Sequence, residues 1–306
     1  MAMSKISICF AVYQNEGALA PLYERVTREL KSNFSQHTYE LLFVNDGSTD
    51  NSLPELLKLR ERDTHVRVLS FSRNFGQMAA ILAGWENSRG DCVINMAADL
   101  QDPPEQCAKM IQEWEEGSEI VISYRESHAT SLSRRITSRL FYRALLPNVP
   151  PGGFDFTLID RKAMDVINSL KEKNRFYQYD ILWAGFKTKY IPYSKLKREI
   201  GKSQYDAFKR FKNFYSAFLN VSYLPIRLLA VIGMLFSGSG FLYALTILWA
   251  YTTQKTPFPG WAPLMIMLLL IGGLIMLMLG ILGEYIWRIL DEVKHRPNYV
   301  IAKRFE

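Results

Sequence analysis

The chain has 306 residues, with 37 Lys plus Arg against 30 Asp plus Glu, a net charge of +7, 48% hydrophobic and 22% charged residues. These values exclude a disordered chain, a collagen-like repeat and a disulfide-rich miniprotein, and the length leaves room for one large core or two smaller ones. The average conceals a division, because residues 228–254 and 256–283 contain no charged residue at all.

From the N-terminus, residues 6–13 (ISICFAVY) read as a buried strand and 18–32 as a helix. No apolar signal-peptide core precedes them, so this part is expected to stay in the cytoplasm. Residues 39–44 (YELLFV) form a second strand that ends in NDGSTDNS, followed by a helix over 52–63. A third strand at 66–70, a helix at 76–88, a fourth strand at 91–96, a helix at 103–116 and a fifth strand at 119–123 continue the alternation. Such a succession predicts a largely parallel α/β sheet with helices on both faces. Cys9 and Cys92 lie in strand-like runs and Cys107 in a helix-like one, without C-x-x-C spacing, so they read as buried reduced thiols.

In sheets of this kind ligands sit beyond the carboxyl ends of the strands. Those positions hold Asn15 and Glu16, then Asp46, then Asp99, Gln101 and Asp102. Converging carboxylates repel unless a cation or donor groups neutralise them, and oxygen ligands suit Mg²⁺ or Mn²⁺ bound together with substrate phosphates. Neither a P-loop nor G-x-G-x-x-G is present, which argues against an ATPase or a dehydrogenase. Taken singly, NDGS is also a good turn and DPPE a good helix start. The residues alone imply a metal and phosphate site without specifying its chemistry.

Residues 203–223 carry Tyr205, Phe208, Phe211, Tyr215 and Phe218 at helical spacing, interleaved with Lys209, Arg210 and Lys212. This reads as an amphipathic helix in the bilayer interface, or alternatively as one packed on its own domain. Each charge-free run exceeds the about 20 residues needed to span a hydrocarbon core, so transmembrane helices are expected at 224–252 and 261–287. Ten basic and two acidic residues between positions 187 and 227, and a basic tail over 288–306, place both termini in the cytoplasm by the positive-inside rule. The excess positive charge is then read as meeting anionic lipid, with no role for nucleic acid. Gly and Ser in both spans favour close helix contact and a homo-oligomer.

VYQNEG, VNDGSTDNS, FSRNFGQMAAILAGWENSRGD, AADLQDPPE, GGFDFTLIDR and GEYIWRILDEVKHRPNYV together resemble the polyprenyl-phosphate glycosyltransferases of glycosyltransferase family 2. Within that family the resemblance is to the bactoprenol (undecaprenyl) phosphate glucosyltransferases, relatives of dolichyl-phosphate mannose synthase. It implies a GT-A (Rossmann-like) catalytic domain over 1–202. It also implies inverting transfer of glucose from UDP-glucose to undecaprenyl phosphate at the cytoplasmic face of the inner (plasma) membrane. A flippase and a downstream glycosyltransferase would then handle the lipid-linked sugar. By resemblance, Tyr13, Asn15, Glu16, Asp46 and Ala98 line the nucleotide pocket, and Asp99 and Gln101 match the metal-binding pattern. Asp155 falls in the segment supplying the catalytic carboxylate, and Arg125, Arg134, Ser138, Arg198 and Lys202 match positions for the acceptor phosphate or donor diphosphate. Ala97 replaces an acidic residue common in relatives, and Asp102 is expected to cap the following helix. Gln204 stands where relatives often carry a basic residue, with Lys202 as its substitute.

A phosphate monoester is already ionised, so the chemical difficulty is the approach of one anion to another. Cations and arginines offset that repulsion and stabilise the departing diphosphate. Asp155 is expected either to accept a proton from a partly protonated phosphate or to orient sugar hydroxyls. The basic run at 131–146 reads as phosphate-binding or as a solvated helix face. A GDP-mannose or UDP-aminoarabinose donor is the alternative within the same reaction. A processive polysaccharide synthase fits two spans poorly, and a non-enzymatic scaffold leaves Asp46, Asp99 and Asp155 without a role.

Overall fold

The computed structural model describes residues 3–125, 154–173, 175–196, 224–253 and 262–306. They divide into one unit of Met1–Lys212 with Pro297–Glu306 and a second of Asn213–Arg296.

The first unit contains β1 (Lys5–Val12), α1 (Leu19–Asn33), β2 (Thr38–Asn45), α2 (Ser52–Arg62), β3 (Val66–Phe71) and α3 (Gln77–Asn87). It continues with β4 (Cys92–Ala97), α4 (Glu105–Glu115), β5 (Ile120–Arg125), β6 (Phe156–Asp160), α5 (Arg161–Ser169), α6 (Tyr177–Trp183) and β7 (Thr188–Tyr193). The strands form one eight-stranded sheet in the order β7-β5-β6-β4-β1-β2-β3-β8, where β8 is Ile301–Phe305.

Strand alternation builds two cores. Ile6, Ile8, Phe10 and Val12 of β1 face one side, with Leu41 and Phe43 of β2, and pack under Leu22, Val26, Leu56 and Met110 from α1, α2 and α4. Cys9, Leu42, Val44 and Val93 face the other side, under Ala80, Trp85, Met164 and Ile181 from α3, α5 and α6. This is the period-2 division expected of a sheet covered on both faces. Gly84 lets α3 approach β1 closely, since a Cβ there would lie 3.2 Å from Cys9 Cβ. All three cysteines are buried and unpaired. Burial drives the Cys9 thiol well above its usual range, which keeps it protonated and inert.

The sheet is mixed rather than largely parallel. β1 pairs in parallel with β2 and β4, β2 with β3, and β5 with β7, whereas β6 runs antiparallel to both β4 and β5, and β8 antiparallel to β3. The direction of β6 matters for function. Because it runs opposite to its neighbours, its amino end lies at the rim where β4 and β5 finish, and the residue before it joins that rim. For the same reason β8 enters at the carboxyl end of β3. Residues 297–306, read from sequence as part of a cytoplasmic basic tail, belong to the first unit and supply its edge strand.

The second unit holds α7 (Leu224–Thr252) and α8 (Ala262–Val293), of 29 and 32 residues. At 1.5 Å per residue each exceeds the about 30 Å hydrocarbon core. Leu228, Met234, Leu235 and Phe241 of α7, and Leu264, Met276 and Leu282 of α8, are exposed, so these helices present apolar surface outward. Both are long and apolar enough to cross a membrane. Residues 203–223 lie outside the described residues.

Candidate active site

The rim begins where β1 and β2 end. The Asp46 amide donates to Val12 O at 2.8 Å, tying the two strand ends together. The loop after β1 is then laced to the loop after β2. Gln14 N donates to Ser48 Oγ at 3.1 Å and Asn15 N to Ser52 Oγ at 2.9 Å, while Glu16 accepts from Asn51 N at 3.2 Å and Asn51 Nδ2 at 2.7 Å. Gln14 sits at φ +54°, a left-handed conformation uncommon for a non-glycine residue and one that this lacing holds in place. Tyr13 is half-buried, and its amide donates to Asn15 Oδ1 at 2.9 Å. Helix α1 receives its cap from a neighbour, with Glu55 accepting from Gly17 N at 2.9 Å and Ala20 N at 2.8 Å.

Asp46 is the centre of this half. Its carboxylate is buried and accepts from Phe75 N at 2.6 Å and Gly76 N at 2.9 Å, both in the loop between β3 and α3. Burial raises its pKa, and the two amides and Arg73 only partly offset that. Gly47 has φ +65°, and a Cβ there would collide with the backbone of Arg73 and Asn74. NDG and SRNFG, far apart in sequence, are therefore one structural unit in which Asp46 positions the loop.

The second half lies at the ends of β4, β5 and β7. Asp99 is half-buried, with Oδ1 accepting from Gln101 N at 3.2 Å, and Leu100 between them takes φ +61°. Ala98 is buried beneath this turn. Gln101 Nε2 donates to Leu196 O at 3.4 Å, and Leu196 N returns a bond to Gln101 O at 2.9 Å. Asp102 does not cap α4, whose N-cap is Pro104 with no side-chain bond. Its buried carboxylate instead accepts from Ala97 N at 3.1 Å and Tyr193 Oη at 2.9 Å, which draws it back under the rim. Burial raises the pKa of both Asp102 and Tyr193.

Asp155, immediately before β6, meets Arg125, the last residue of β5. Arg125 Nη2 lies 3.3 Å from Asp155 Oδ2, with the two side chains 42% and 46% exposed. These exposures leave the pair open to a ligand. Asp155 Oδ1 accepts from Tyr177 Oη at 2.7 Å and Gln178 Nε2 at 3.3 Å, and its backbone carbonyl accepts from Asn95 Nδ2 at 2.8 Å. Burial disfavours the charge on Arg125, but Asp155, Tyr193 and Asp102 outweigh it and hold the guanidinium more firmly charged than usual.

Of the residues expected from sequence, Tyr13, Asn15, Glu16 and Asp46 share one part of the rim, and Asp99, Gln101, Arg125 and Asp155 the other. Arg134, Ser138, Arg198 and Lys202 lie outside the described residues. Sequence reading missed Tyr177, Gln178, Tyr193 and Asn95. Asn95 alone left a signal, as a polar residue inside the buried strand CVINMA that requires a partner.

The arrangement offers a carboxylate (Asp99) and an arginine–carboxylate pair within one sheet rim, suited to binding a phosphorylated, hydroxyl-rich ligand. The family model for glycosyl transferase family 2 matches residues 7–183. The chain is 37% identical over 304 residues to the uncharacterized glycosyltransferase YkcC of Bacillus subtilis, covering 98% of this chain and 94% of the relative. It is 32% identical to the SfII prophage-derived bactoprenol glucosyl transferase of Shigella flexneri, covering 98% of each chain. Among solved structures, the mannosyltransferase PcManGT of Pyrobaculum calidifontis, in complex with GDP-Man and Mn²⁺, superposes with a TM-score of 0.53 over 72% of this chain and 64% of that one. Glucosyl-3-phosphoglycerate synthase of Mycobacterium tuberculosis does so with a TM-score of 0.50 over 71% and 81%. At 13% and 17% identity these two likenesses show the fold, an α/β sheet of GT-A type. The chain belongs to glycosyl transferase family 2, as a glycosyltransferase similar to the bactoprenol glucosyl transferases.

Proposed function

We propose that the enzyme transfers glucose from UDP-glucose to undecaprenyl phosphate, with inversion at the anomeric carbon, at the cytoplasmic face of the membrane crossed by α7 and α8. The observation that carries this reading is the convergence of Asp99, Arg125 and Asp155 on one rim of a chain that matches a bactoprenol glucosyl transferase across 98% of its length. Two apolar helices of spanning length support a lipid acceptor, and the basic residues flanking them support cytoplasmic termini.

In this reaction an acceptor phosphate oxygen forms a bond to C1 of the sugar. The bond from C1 to the donor diphosphate breaks, and its electron pair leaves with UDP. Arg125 supplies a fixed positive fork toward the phosphate that approaches or departs. Asp155, locked by Tyr177 and Gln178, either takes a proton from a partly protonated phosphate or orients sugar hydroxyls. Asp46 holds the loop that lines the nucleotide side, and Asp99 with Gln101 faces the diphosphate.

The residues fit a Mg²⁺ or Mn²⁺ ion held chiefly by substrate. Among the described residues no three His, Cys, Asp or Glu side chains gather as a ligand set. Position 97 is Ala, and Asp102 is committed to Tyr193 and a backbone amide. Asp99 and Gln101, at the rim, would hold the ion, in keeping with ions bound by one or two protein oxygens plus phosphates. When bound, the ion would neutralise charge developing on the diphosphate.

The test is a membrane assay with undecaprenyl phosphate, radiolabelled UDP-glucose, GDP-mannose or UDP-aminoarabinose, and Mg²⁺ or Mn²⁺ present or chelated. Metal-dependent labelling of lipid from UDP-glucose is the expected result. Labelling from another donor replaces the sugar in this proposal, and no labelled lipid from any donor overturns it.

A further inference from the structure

We infer that the C-terminal segment, Tyr299 with strand β8, is a positioning element of the donor pocket, acting on the loop that Asp46 holds. The inference rests on the reading of that pocket as the nucleotide site. β8 pairs with β3 in the register Val68↔Phe305, Leu69↔Arg304, Ser70↔Lys303 and Phe71↔Ile301, with a shift between Ser70 and Phe71. Beyond that irregularity, Ser72 N donates to Val300 O at 3.0 Å, so the tail takes the first amide of the loop leaving β3.

The side chains continue the connection. Tyr299 stacks on Phe71 with centroids 5.0 Å apart and planes 14° from parallel, and Phe71 meets Phe75 edge-on at 5.7 Å. The Phe75 amide is the 2.6 Å donor to Asp46. Tyr299 Oη also donates to Glu86 on α3, the helix that this loop begins. At the far end of the strand Glu306 pairs with Arg67 at 3.1 Å and Arg89 at 2.8 Å. Loss of the tail would uncover the Phe71 ring, free the Ser72 amide and slacken the loop whose amides satisfy a buried carboxylate. A loop fastened on only one side holds Asp46 and the nucleotide side of the rim less firmly. Sequence alone read this segment as part of a cytoplasmic basic tail. Its entry at the carboxyl end of β3 puts it beside the donor side instead.

The experiment uses the purified full-length chain in detergent, with Tyr299→Ala and Tyr299→Phe variants. Two measurements are made: hydrogen exchange of the Phe75 and Gly76 amides, and the Kd for UDP by equilibrium dialysis. Tyr299→Ala is expected to speed exchange at both amides and weaken UDP binding about tenfold. Tyr299→Phe, which keeps the stacked ring, is expected to restore most of both. The KM for the polyprenyl phosphate is expected to stay within twofold in both variants; a general loss of structure would instead move both substrates together. Unchanged exchange at Phe75 and Gly76, or unchanged UDP affinity in Tyr299→Ala, overturns the inference. If the native chain binds UDP with this dependence but transfers no glucose, the proposed reaction fails while the role of the tail stands. If the native chain binds no UDP, both fail.

Discussion

Arg125 and Asp155, thirty positions apart in sequence, stand 3.3 Å from one another, because one closes β5 and the other immediately precedes the antiparallel strand beside it. The pair is half-exposed on its outer side and anchored on its inner side, where Tyr177 and Gln178 occupy the second carboxylate oxygen. Both carboxylate oxygens are thus held in place, Oδ1 by Tyr177 and Gln178 and Oδ2 by Arg125, while both side chains of the pair stay solvent-accessible.

Asp155→Asn is expected to lower kcat by about 10²-fold while moving the donor KM little, since a general base or a transition-state orienter acts mainly on the chemical step. Steady-state kinetics with the donor varied at saturating lipid phosphate would show it. An unchanged kcat would reject both roles.

Asp99 and Asp102 are three residues apart and have different environments. Asp99 sits half-buried in a left-handed turn at the rim, and Asp102 is buried against Tyr193 and the Ala97 amide. Asp99→Ala is expected to abolish metal-dependent turnover with little change in melting temperature. Asp102→Ala removes the acceptor of the Tyr193 hydroxyl and of the Ala97 amide and is expected to cost about 1–3 kcal/mol of stability. Metal titrations of activity, set beside melting curves of both variants, would separate the two; equal loss of stability in both would put Asp99 among the structural residues.

Asp46→Asn presents an amide NH₂ to one of two backbone N–H donors, replacing a buried charge-assisted contact with a repulsive one. A loss of about 1–3 kcal/mol is expected, together with weaker nucleotide binding. Thermal melts with and without UDP measure both effects. A variant that melts like the native protein would show that the two amides are satisfied in another way.

The strands and helices through β5 were legible because alternating apolar runs, punctuated by NDGS and DPP, carry their own local signal. The rim residues Asp46 and Asp99 were legible because parallel strands put their carboxyl ends together. What sequence left out depended on strand direction and on distant partners. Nothing local in GGFDFTLID says that this strand runs backward between β4 and β5, so the sheet read as largely parallel. Asp102 precedes two prolines and a helix, a good local cap signal, yet Tyr193 from a distant strand claims it. The C-terminal IAKRF carries two adjacent basic residues and reads as part of a cytoplasmic tail, whereas its pairing partner β3 lies over two hundred residues away, with Arg67 and Glu306 separated by 239 positions. Non-local pairing of this kind leaves no periodic trace.

Glu40 offers a test of stability against pH. Its carboxylate is buried; burial alone would raise its pKa, but bonds from Ser7 Oγ and Arg89 N, with Lys5 and Arg67 nearby, outweigh that and leave it depressed. A carboxylate depressed in the folded state contributes stability that is present above its unfolded pKa near 4.5 and is lost as pH falls through the folded value. Glu306, which shares Arg67, is depressed by Arg89 and Arg67 and changes in the same direction. Asp46 and Asp102 are raised by burial, so they act oppositely, favouring the fold relatively as they become protonated. Glu40→Gln is expected to cost about 1–3 kcal/mol at pH 7, where Arg67 loses a buried ionic partner, and the cost is expected to shrink toward pH 3, where the native Glu40 is itself being protonated. Melting temperatures of both proteins at half-unit steps from pH 7 to 3 would therefore converge. Curves that stay parallel over that range would mean that Glu40 is not the group whose protonation weakens the fold in acid.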